Sequence, residues 1–111
     1  MKEIDAVKMH FTALNEQVRS LADSEITING CLGQRYIASG LGGKSITING
    51  IPGNALGAYM DGSVITVNGN VQDATGDTMN AGVIIVHGNA GDATGYGMRG
   101  GAIYVRGDTG Y

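Results

Sequence analysis

Apolar and polar residues alternate in short segments that recur along the chain at an almost constant interval. Each segment has an apolar first and third residue and ends in glycine; the five copies are Ile26–Gly30, Ile46–Gly50, Ile65–Gly69, Ile84–Gly88 and Ile103–Gly107. Their closing glycines lie 20, 19, 19 and 19 residues apart. Alternation with a period of two is typical of a strand, in which successive side chains point to opposite faces. The pattern therefore predicts five short strands, each followed by a turn that glycine permits.

A second signature lies between these strands. It begins with Asn or Asp, has glycine at its fourth position and methionine at its seventh, and occurs at Asn54–Gly62, Asp73–Ala81 and Asp92–Gly100. The first repeat is looser, because it holds one extra residue and has Leu41 at the methionine position. A meander of hairpins would not need the same residue at the same place in every repeat, whereas a stack of equivalent coils does.

The repeat predicts an all-β fold, a single-stranded right-handed parallel β-helix (a solenoid) with Gly-rich turns of about 19 residues. Equivalent residues of successive coils should stack about 4.8 Å apart. Three inner ladders are expected, one of Ile26, Ile46, Ile65, Ile84 and Ile103, one of Ile28, Ile48, Val67, Val86 and Val105, and one of Leu41, Met60, Met79 and Met98. Small residues are expected at a tight inner corner, namely Ala55, Ala74 and Ala93. The glycines with a predicted structural role in the repeat are Gly30, Gly50, Gly69, Gly88, Gly107, Gly57, Gly76 and Gly95.

The first 25 residues lack the repeat. Leu14, Val18 and Leu21 have helical spacing, which predicts a helix over Thr12–Ala22 with Thr12 as its N-cap. Residues 4–7 are expected to be extended. The predicted organisation is one domain, with a capping segment over 1–25 and parallel β-helix repeats over 26–111. We expect the helix to cover the first coil and to block strand pairing at that edge.

Composition and charge narrow the classes of function. Glycine accounts for 20 of the 111 residues. Because the net charge is −3, the chain offers no basic patch for nucleic acid. A single cysteine, Cys31, excludes an intrachain disulfide and a cysteine-based metal site held by this chain alone. It is compatible with a reducing cytoplasm, and no apolar run approaches the length of a membrane span. We therefore expect a cytoplasmic protein that binds neither nucleic acid nor membrane.

An outward polar column runs along the predicted coils. Its members are Asn29, Asn49, Asn68, His87 and Arg106. The column could form a binding stripe, but residues before a turn glycine favour Asn, and stacked Asn amides hydrogen-bond to one another. The structural interpretation is preferred.

A second set of polar residues also aligns on successive turns. Asn54, Asp73 and Asp92 could hold a calcium ion or supply an acid/base pair, since equivalent carboxylates would lie about 5 Å apart. Asx turns explain them equally well, and a calcium-binding repeat signature is missing. Neither His87 nor Cys31, which is placed in a turn, has a sequence-adjacent catalytic partner. No catalytic, cofactor-binding or metal-binding residue is expected in this chain.

The predicted outer face changes in character along the chain. Thr27, Thr47 and Thr66 form a column that could order water, which raises an ice-binding alternative, but Ile85 and Tyr104 interrupt it. The outer face should therefore become more apolar toward the last coils, which favours a protein contact. The predicted interface consists of Ile85, Tyr104 and Val105. Through these coils we expect the isolated chain to form a homo-oligomer, because an uncovered strand edge is a template for another chain.

Several non-glycine motifs resemble those of a known family. They are Gly33–Ala38, Pro52–Asn54, Gln72–Asn80 and Gly95–Gly101. Together with Ile4–Asp5 and the helix start at Leu14–Glu16, they resemble the C-terminal Gly-x-Gly-x-Gly domain of the glutamate synthase large subunit over almost the whole chain. Related subunits occur in N-methylglutamate synthases, and a more distant relative is the C subunit of formylmethanofuran dehydrogenase.

This resemblance implies a scaffold. In glutamate synthase one domain hydrolyses glutamine, and another passes the ammonia to 2-oxoglutarate at reduced FMN, while the β-helix supports these domains against each other. The family's nucleophilic cysteine, FMN contacts and iron–sulfur ligands lie in the other domains. The resemblance therefore implies a non-catalytic subunit or domain of an oxidoreductase complex, with amidotransferase and FMN-binding synthase chains as its partners.

Two alternatives stay open. One is a free-standing structural or binding solenoid, and the other is a C-type subunit of an N-methylglutamate synthase or formylmethanofuran dehydrogenase-like complex. The sequence ends at Tyr111, four residues into a new repeat unit, whereas family members continue. From this we expect either a fragment or an unusually short subunit.

Overall fold

One parallel sheet runs through the whole molecule. The computed structural model describes residues 1–110, so the expectations about the chain end at Tyr111 lie outside the described residues. The elements are β1 (Lys2–Asp5), α1 (Phe11–Ser20), β2 (Glu25–Leu32), β3 (Ser45–Ile51), β4 (Asp61–Asn68), β5 (Ala81–Val86) and β6 (Ala102–Val105). All neighbouring strands pair in parallel, in the order β1-β2-β3-β4-β5-β6. The predicted β-solenoid is confirmed.

The register of the strands produces the predicted apolar ladders. Ile46 pairs with Ile65 and Ile65 with Ile84, and all three are 0–1% exposed. Met60 and Met79 are also fully buried, so the methionine ladder is confirmed. The members of these ladders in the terminal coils, Leu41, Met98, Ile103 and Val105, are only partly buried and pack against the core. The interior is therefore best closed in the middle of the stack.

A recurring five-residue bend forms the side of each coil that precedes its strand. We call it the arch; it spans residues 36–40, 55–59, 74–78 and 93–97. Its first, third and fifth residues have φ between +52° and +71° in every coil. Several of these residues are not glycine, which is uncommon because a Cβ disfavours the left-handed region.

The predicted inner corner of alanines is wrong. Ala55, Ala74 and Ala93 are the first residues of their arches and are partly exposed. The left-handed backbone turns their side chains out of the core, and the following residues point inward instead. Leu56 and Thr75, for example, are fully buried.

Hydrogen bonds across the arches alternate in direction. The first and fifth N–H groups donate to the next coil, as from Ala74 to Asp92 O (2.9 Å) and from Thr78 to Tyr96 O (2.8 Å). The third N–H donates to the previous coil, as from Gly76 to Leu56 O (2.7 Å). Among the described residues, the two inner arches (55–59 and 74–78) are thus bonded on both sides, and the left-handed residues produce this alternation.

The N-terminal segment differs from prediction in three details. The strand β1 spans Lys2–Asp5 instead of residues 4–7, and α1 spans Phe11–Ser20 instead of 12–22. Thr12 is not the N-cap: His10 is, and its Nδ1 accepts a hydrogen bond from the Thr12 N–H at 3.2 Å. The helix also does not block the sheet edge, because β1 occupies that position by pairing with β2.

The extra residue of the first repeat forms a bulge. Asn29 pairs with Asn49, but the register then shifts and Cys31 pairs with Gly50. Gly30 is therefore the inserted residue and is not equivalent to the other closing glycines. Cys31 lies buried inside β2, so its predicted turn position is wrong.

Candidate functional site

The asparagine column is a ladder of side-chain amides. Asn49 Nδ2 donates to Asn29 Oδ1 and Asn68 Nδ2 donates to Asn49 Oδ1, both at 2.8 Å. Beyond it, His87 Nδ1 lies 3.5 Å from Arg106 Nη1. The stacked-amide interpretation is confirmed, and the column uses much of its hydrogen-bonding capacity within the protein.

The aligned Asn and Asp residues join successive coils. Asn54 Oδ1 accepts the backbone N–H of Asp73 at 3.0 Å, and Asp73 Oδ1 accepts that of Asp92 at 2.8 Å. A parallel ladder runs from Asn70 through Asn89 to the N–H of Asp108. These oxygens therefore act as acceptors for the next coil. No group of three or more His, Cys, Asp or Glu residues within 1–110 is arranged to hold a metal ion.

Cys31 is held in the first coil as a protonated thiol. Burial raises the pKa of the Cys31 thiol from 9.0 to about 11, opposed by a hydrogen bond from the Gln34 backbone. The thiol also contacts Gln34 Oε1 at 3.2 Å. A neutral thiol is a weak nucleophile, so this environment fits a structural residue.

The proposed interface residues lie at the last two strands. Ile85 pairs with Tyr104 and continues the column that starts with the threonines. Tyr104 is 61% exposed, Ile85 is half-buried, and Val105 points toward the core. Val64 adds a further exposed apolar side chain to this outer face. Tyr104 is thus the most accessible member of the predicted interface.

The repeat glycines mostly lie where coils approach each other closely. A Cβ on Gly57 would come within 2.7 Å of Ile84 Cδ1, and Gly76 faces Ile103 in the same way. A Cβ on Gly50 or Gly69 would collide with a carbonyl of the coil before it. Gly88 and Gly107 make similarly close approaches to the preceding coil, and Gly95 lies next to Met98.

The first coil is covered by α1. Leu14 and Val18 are 0% and 1% exposed and fill the interior. Asn15 Nδ2 donates to Arg35 O at 2.9 Å, and Arg19 Nη2 donates to Ser39 O at 2.7 Å. In later coils the carbonyls equivalent to these two accept arch N–H groups. The helix thus supplies, through two side chains, the donors that a preceding coil would supply through its backbone.

The side chains of Gln34 and Lys44 hydrogen-bond the N-terminal segment to the first coil. Gln34 Nε2 donates to Ala6 O and Met9 O, both at 3.0 Å. Lys44 Nζ donates to Leu21 O at 2.7 Å and to Asp23 O at 2.8 Å. The sequence patterns gave no indication of these contacts, because the carbonyls they meet are defined only by the path of the folded coil.

Among residues 1–110, the end of the solenoid opposite α1 is open. A hollow of about 590 Å³ lies there. Its lining includes Thr94, Met98, Ile103 and Val105. Met98, Ile103 and Val105 belong to the inner ladders, and Thr94 has the position in its arch that the buried Thr75 has in the preceding coil. The part of the chain that the structure describes contains no element covering these side chains as α1 covers the first coil. This open end and the adjoining Tyr104 surface together form the candidate functional site.

Comparison with known proteins identifies the family to which this chain belongs. The model of the GXGXG motif family matches residues 3–111. The chain belongs to the GXGXG motif family. This is the family of the glutamate synthase C-terminal domain, which confirms the resemblance seen in the sequence.

One curated relative is the uncharacterized protein MJ1350 of Methanocaldococcus jannaschii, which is 44% identical over 66 residues. The matched region covers 53% of this chain and about a quarter (25%) of the relative. No solved structure matches the chain. Within residues 1–110, the one α-helix is too short to cross a bilayer.

Proposed function

We propose that the chain is a non-catalytic scaffold of a glutamate synthase-type complex, in which it holds an amidotransferase chain and an FMN-binding synthase chain against each other. Membership in the GXGXG family supports this role. The observation that carries it is the asymmetry of the two ends. Among residues 1–110, α1 closes one end, whereas the other end presents inner-ladder side chains and the edge of β6 without a further strand, as expected of a docking element.

The side chains support a binding role more than a reaction. Asn49 and Asn68 engage one another within their ladder, and the Asp73 carboxylate accepts a backbone N–H. The Cys31 thiol is buried with a raised pKa. In contrast, Tyr104 is 61% exposed beside the open end, and tyrosine is among the residues that dominate protein interfaces. The FMN and iron–sulfur chemistry of such a complex would belong to the partner chains.

Co-purification tests this proposal. The tagged chain is co-expressed with the amidotransferase and FMN-binding synthase chains of its own organism, and flavin absorbance is measured in the eluate. We expect FMN to co-elute with the native chain and to be lost with Tyr104→Asp. Leu32→Asp is the matched control, because Leu32 is also exposed (75%) but lies in β2, far along the sheet. Absence of flavin with the native chain would favour a free-standing solenoid.

A further inference from the structure

Three members of the asparagine column are each followed by glycine. The pairs are Asn29–Gly30, Asn49–Gly50 and Asn68–Gly69. In an Asn–Gly sequence the backbone nitrogen of the glycine can attack the side-chain carbonyl carbon of the asparagine, because glycine has no Cβ to hinder the approach. The three pairs carry the same reactive groups, so a difference in their reactivity must come from their surroundings in the fold.

Gly30 is the least constrained of the three glycines. It is the inserted residue of the bulge in β2, so within residues 1–110 it has no register partner in β1 or in β3. A Cβ on Gly30 would meet the side chain of Val7, which is exposed and can move. A Cβ on Gly50 or Gly69 would instead collide with a backbone carbonyl of the preceding coil. Of the three, Gly30 can therefore move most easily toward the side chain that precedes it.

The side chain of Asn29 is polarised for such an attack. Its Oδ1 accepts a hydrogen bond from Asn49 Nδ2 at 2.8 Å, which stabilises negative charge that develops on this oxygen. Among the described residues Asn29 Nδ2 donates to no acceptor, so the departing amine is not held in place. In contrast, Asn49 Nδ2 is held by Asn29, and Asn68 Oδ1 accepts no hydrogen bond within residues 1–110. The polarised carbonyl and the unheld amine thus occur together at Asn29.

A carboxylate lies beside this pair. Asp5 is opposite Asn29 in the register of β1 and β2, and its Oδ1 would be 3.4 Å from a Cβ on Gly30. Asp5 Oδ1 accepts the Val7 N–H at 3.1 Å, which leaves Oδ2 of the same carboxylate for the proton of the Gly30 N–H. A positioned carboxylate can act as a general base. At the other two glycines the nearest atoms are backbone atoms of the preceding coil.

We propose that Asn29–Gly30 is a site of spontaneous deamidation. The Gly30 nitrogen forms a bond to Asn29 Cγ while its proton passes to the Asp5 carboxylate. The bond between Cγ and Nδ2 then breaks, and the same proton leaves with the amine as ammonia. Water opens the resulting cyclic imide to aspartate or isoaspartate at position 29. The reaction consumes one water, releases one ammonia and needs neither an oxidant nor a reductant.

The product retains the structural role of the side chain. An oxygen at position 29 still accepts the hydrogen bond from Asn49 Nδ2, so the amide ladder persists. The additional backbone carbon of isoaspartate falls in a bulge, where the strand already accommodates an inserted residue. The chain gains a negative charge beside Asp5, and water and salt screen the repulsion at this surface position. The modification therefore changes the charge of the outer face without unfolding the chain, and it does not depend on the scaffold role.

Mass spectrometry of the full chain tests the proposal. The protein is incubated in H₂¹⁸O at mildly alkaline pH, and tandem spectra quantify the loss of the amide and the gain of ¹⁸O at each of the three asparagines. We expect Asn29 to convert at least about tenfold faster than Asn68, with Asn49 between them. In denaturant the three rates should converge, because only the local sequence then acts. Equal rates in the folded chain, or a ratio that persists in denaturant, would overturn the proposal.

Two matched variants test the role of the carboxylate. Asp5→Asn removes the charge but keeps an acceptor oxygen, and it should slow conversion of Asn29 at least about fivefold while leaving Asn68 unchanged. Glu3→Gln removes a carboxylate from the same strand and the same outer face, but Glu3 pairs with Thr27, so the rate at Asn29 should not change. If circular dichroism shows that Asp5→Asn is unfolded, the ratio of Asn29 to Asn68 in the native chain decides. Equal effects of the two variants would contradict the assignment of Asp5 as the base.

Discussion

The two ends of the solenoid are built from the same repeat but finish differently. At the first coil, β1 pairs with β2, and α1 covers the arch with two buried apolar residues and two hydrogen-bond donors. At the last coil, Met98, Ile103 and Val105 are only partly buried. Each coil of a solenoid exposes a face on which a further coil can stack. The end of the stack is therefore covered only by residues that do not follow the repeat. The non-repetitive segment 1–24 performs that task at one end.

The largest expected effect compares two members of one ladder. Ile84 is fully buried in the middle of the stack, and Ile103 pairs with it from the open end. We expect Ile84→Ala to lower the free energy of unfolding by about 2–5 kcal/mol. Ile103→Ala should cost less than about 2 kcal/mol, because its side chain buries less apolar surface. Urea denaturation at low protein concentration measures both, and equal losses would mean that the last coil is covered in solution.

The second effect concerns pH at the capped end. The folded pKa of Cys31 is raised to about 11, above its ordinary value of 9.0. The unfolded chain then loses its proton first as pH rises, so the stabilisation is fully present below pH 9 and is lost between about pH 9 and 11. Relative to that of Cys31→Ala, the free energy of unfolding of the native chain should fall by up to roughly 2 kcal/mol across this pH window. A constant difference between the two proteins over that range would contradict this account.

The third effect compares two arginines. Arg19 donates to Ser39 O at the capped end, whereas Arg99 is exposed near the open end and has no side-chain hydrogen bond among residues 1–110. Arg19→Met should cost about 1 kcal/mol, because it removes one charged hydrogen bond at a position that water can reach. Arg99→Met should change stability by less than about 0.5 kcal/mol. Denaturant midpoints of the two variants make the comparison, and a larger loss for Arg99→Met would show that the ends are assigned wrongly.

The repeat was sufficient to predict the ladders of buried side chains, but not the left-handed backbone of the arches. The alternation of apolar residues within each repeat was sufficient to predict the buried Ile and Val ladders of β2 to β5, but not the burial of Cys31 in β2 or of Ser63 in β4. Left-handed φ at Ala74 and Thr78 was not predictable, because such residues seldom adopt it and only the hydrogen bonds between coils impose it.

The same limit applies to the cap. Helical spacing of Leu14, Val18 and Leu21 predicted a helix over the first coil, and Leu14 and Val18 are buried because an apolar stripe of a helix faces the core. The roles of Asn15 and Arg19 depend on where two carbonyls of the first coil point, which no local pattern records. Gly30 was placed in the closing-glycine column because the segment reads like its neighbours, and only strand pairing shows the bulge.

The smallest expected effect tests the outer face, where the polar half of the sheet meets the apolar half. Thr66 is partly exposed and lies in register between Thr47 and Ile85. Thr66→Ala removes a hydroxyl and a methyl group from a partly exposed surface that no other element within residues 1–110 covers, so the expected loss of stability is under about 0.5 kcal/mol. Its neighbour Ile65 points into the core and is fully buried.

Ile65→Ala is therefore the matched control, with an expected loss of about 2–5 kcal/mol. Denaturation of the two variants under identical conditions compares adjacent residues on opposite faces of one strand. Similar losses would show that both faces of the sheet are covered in solution. In that case the outer face around Thr66 would already be part of an interface, and the contrast between the polar and apolar halves would no longer mark the site of contact.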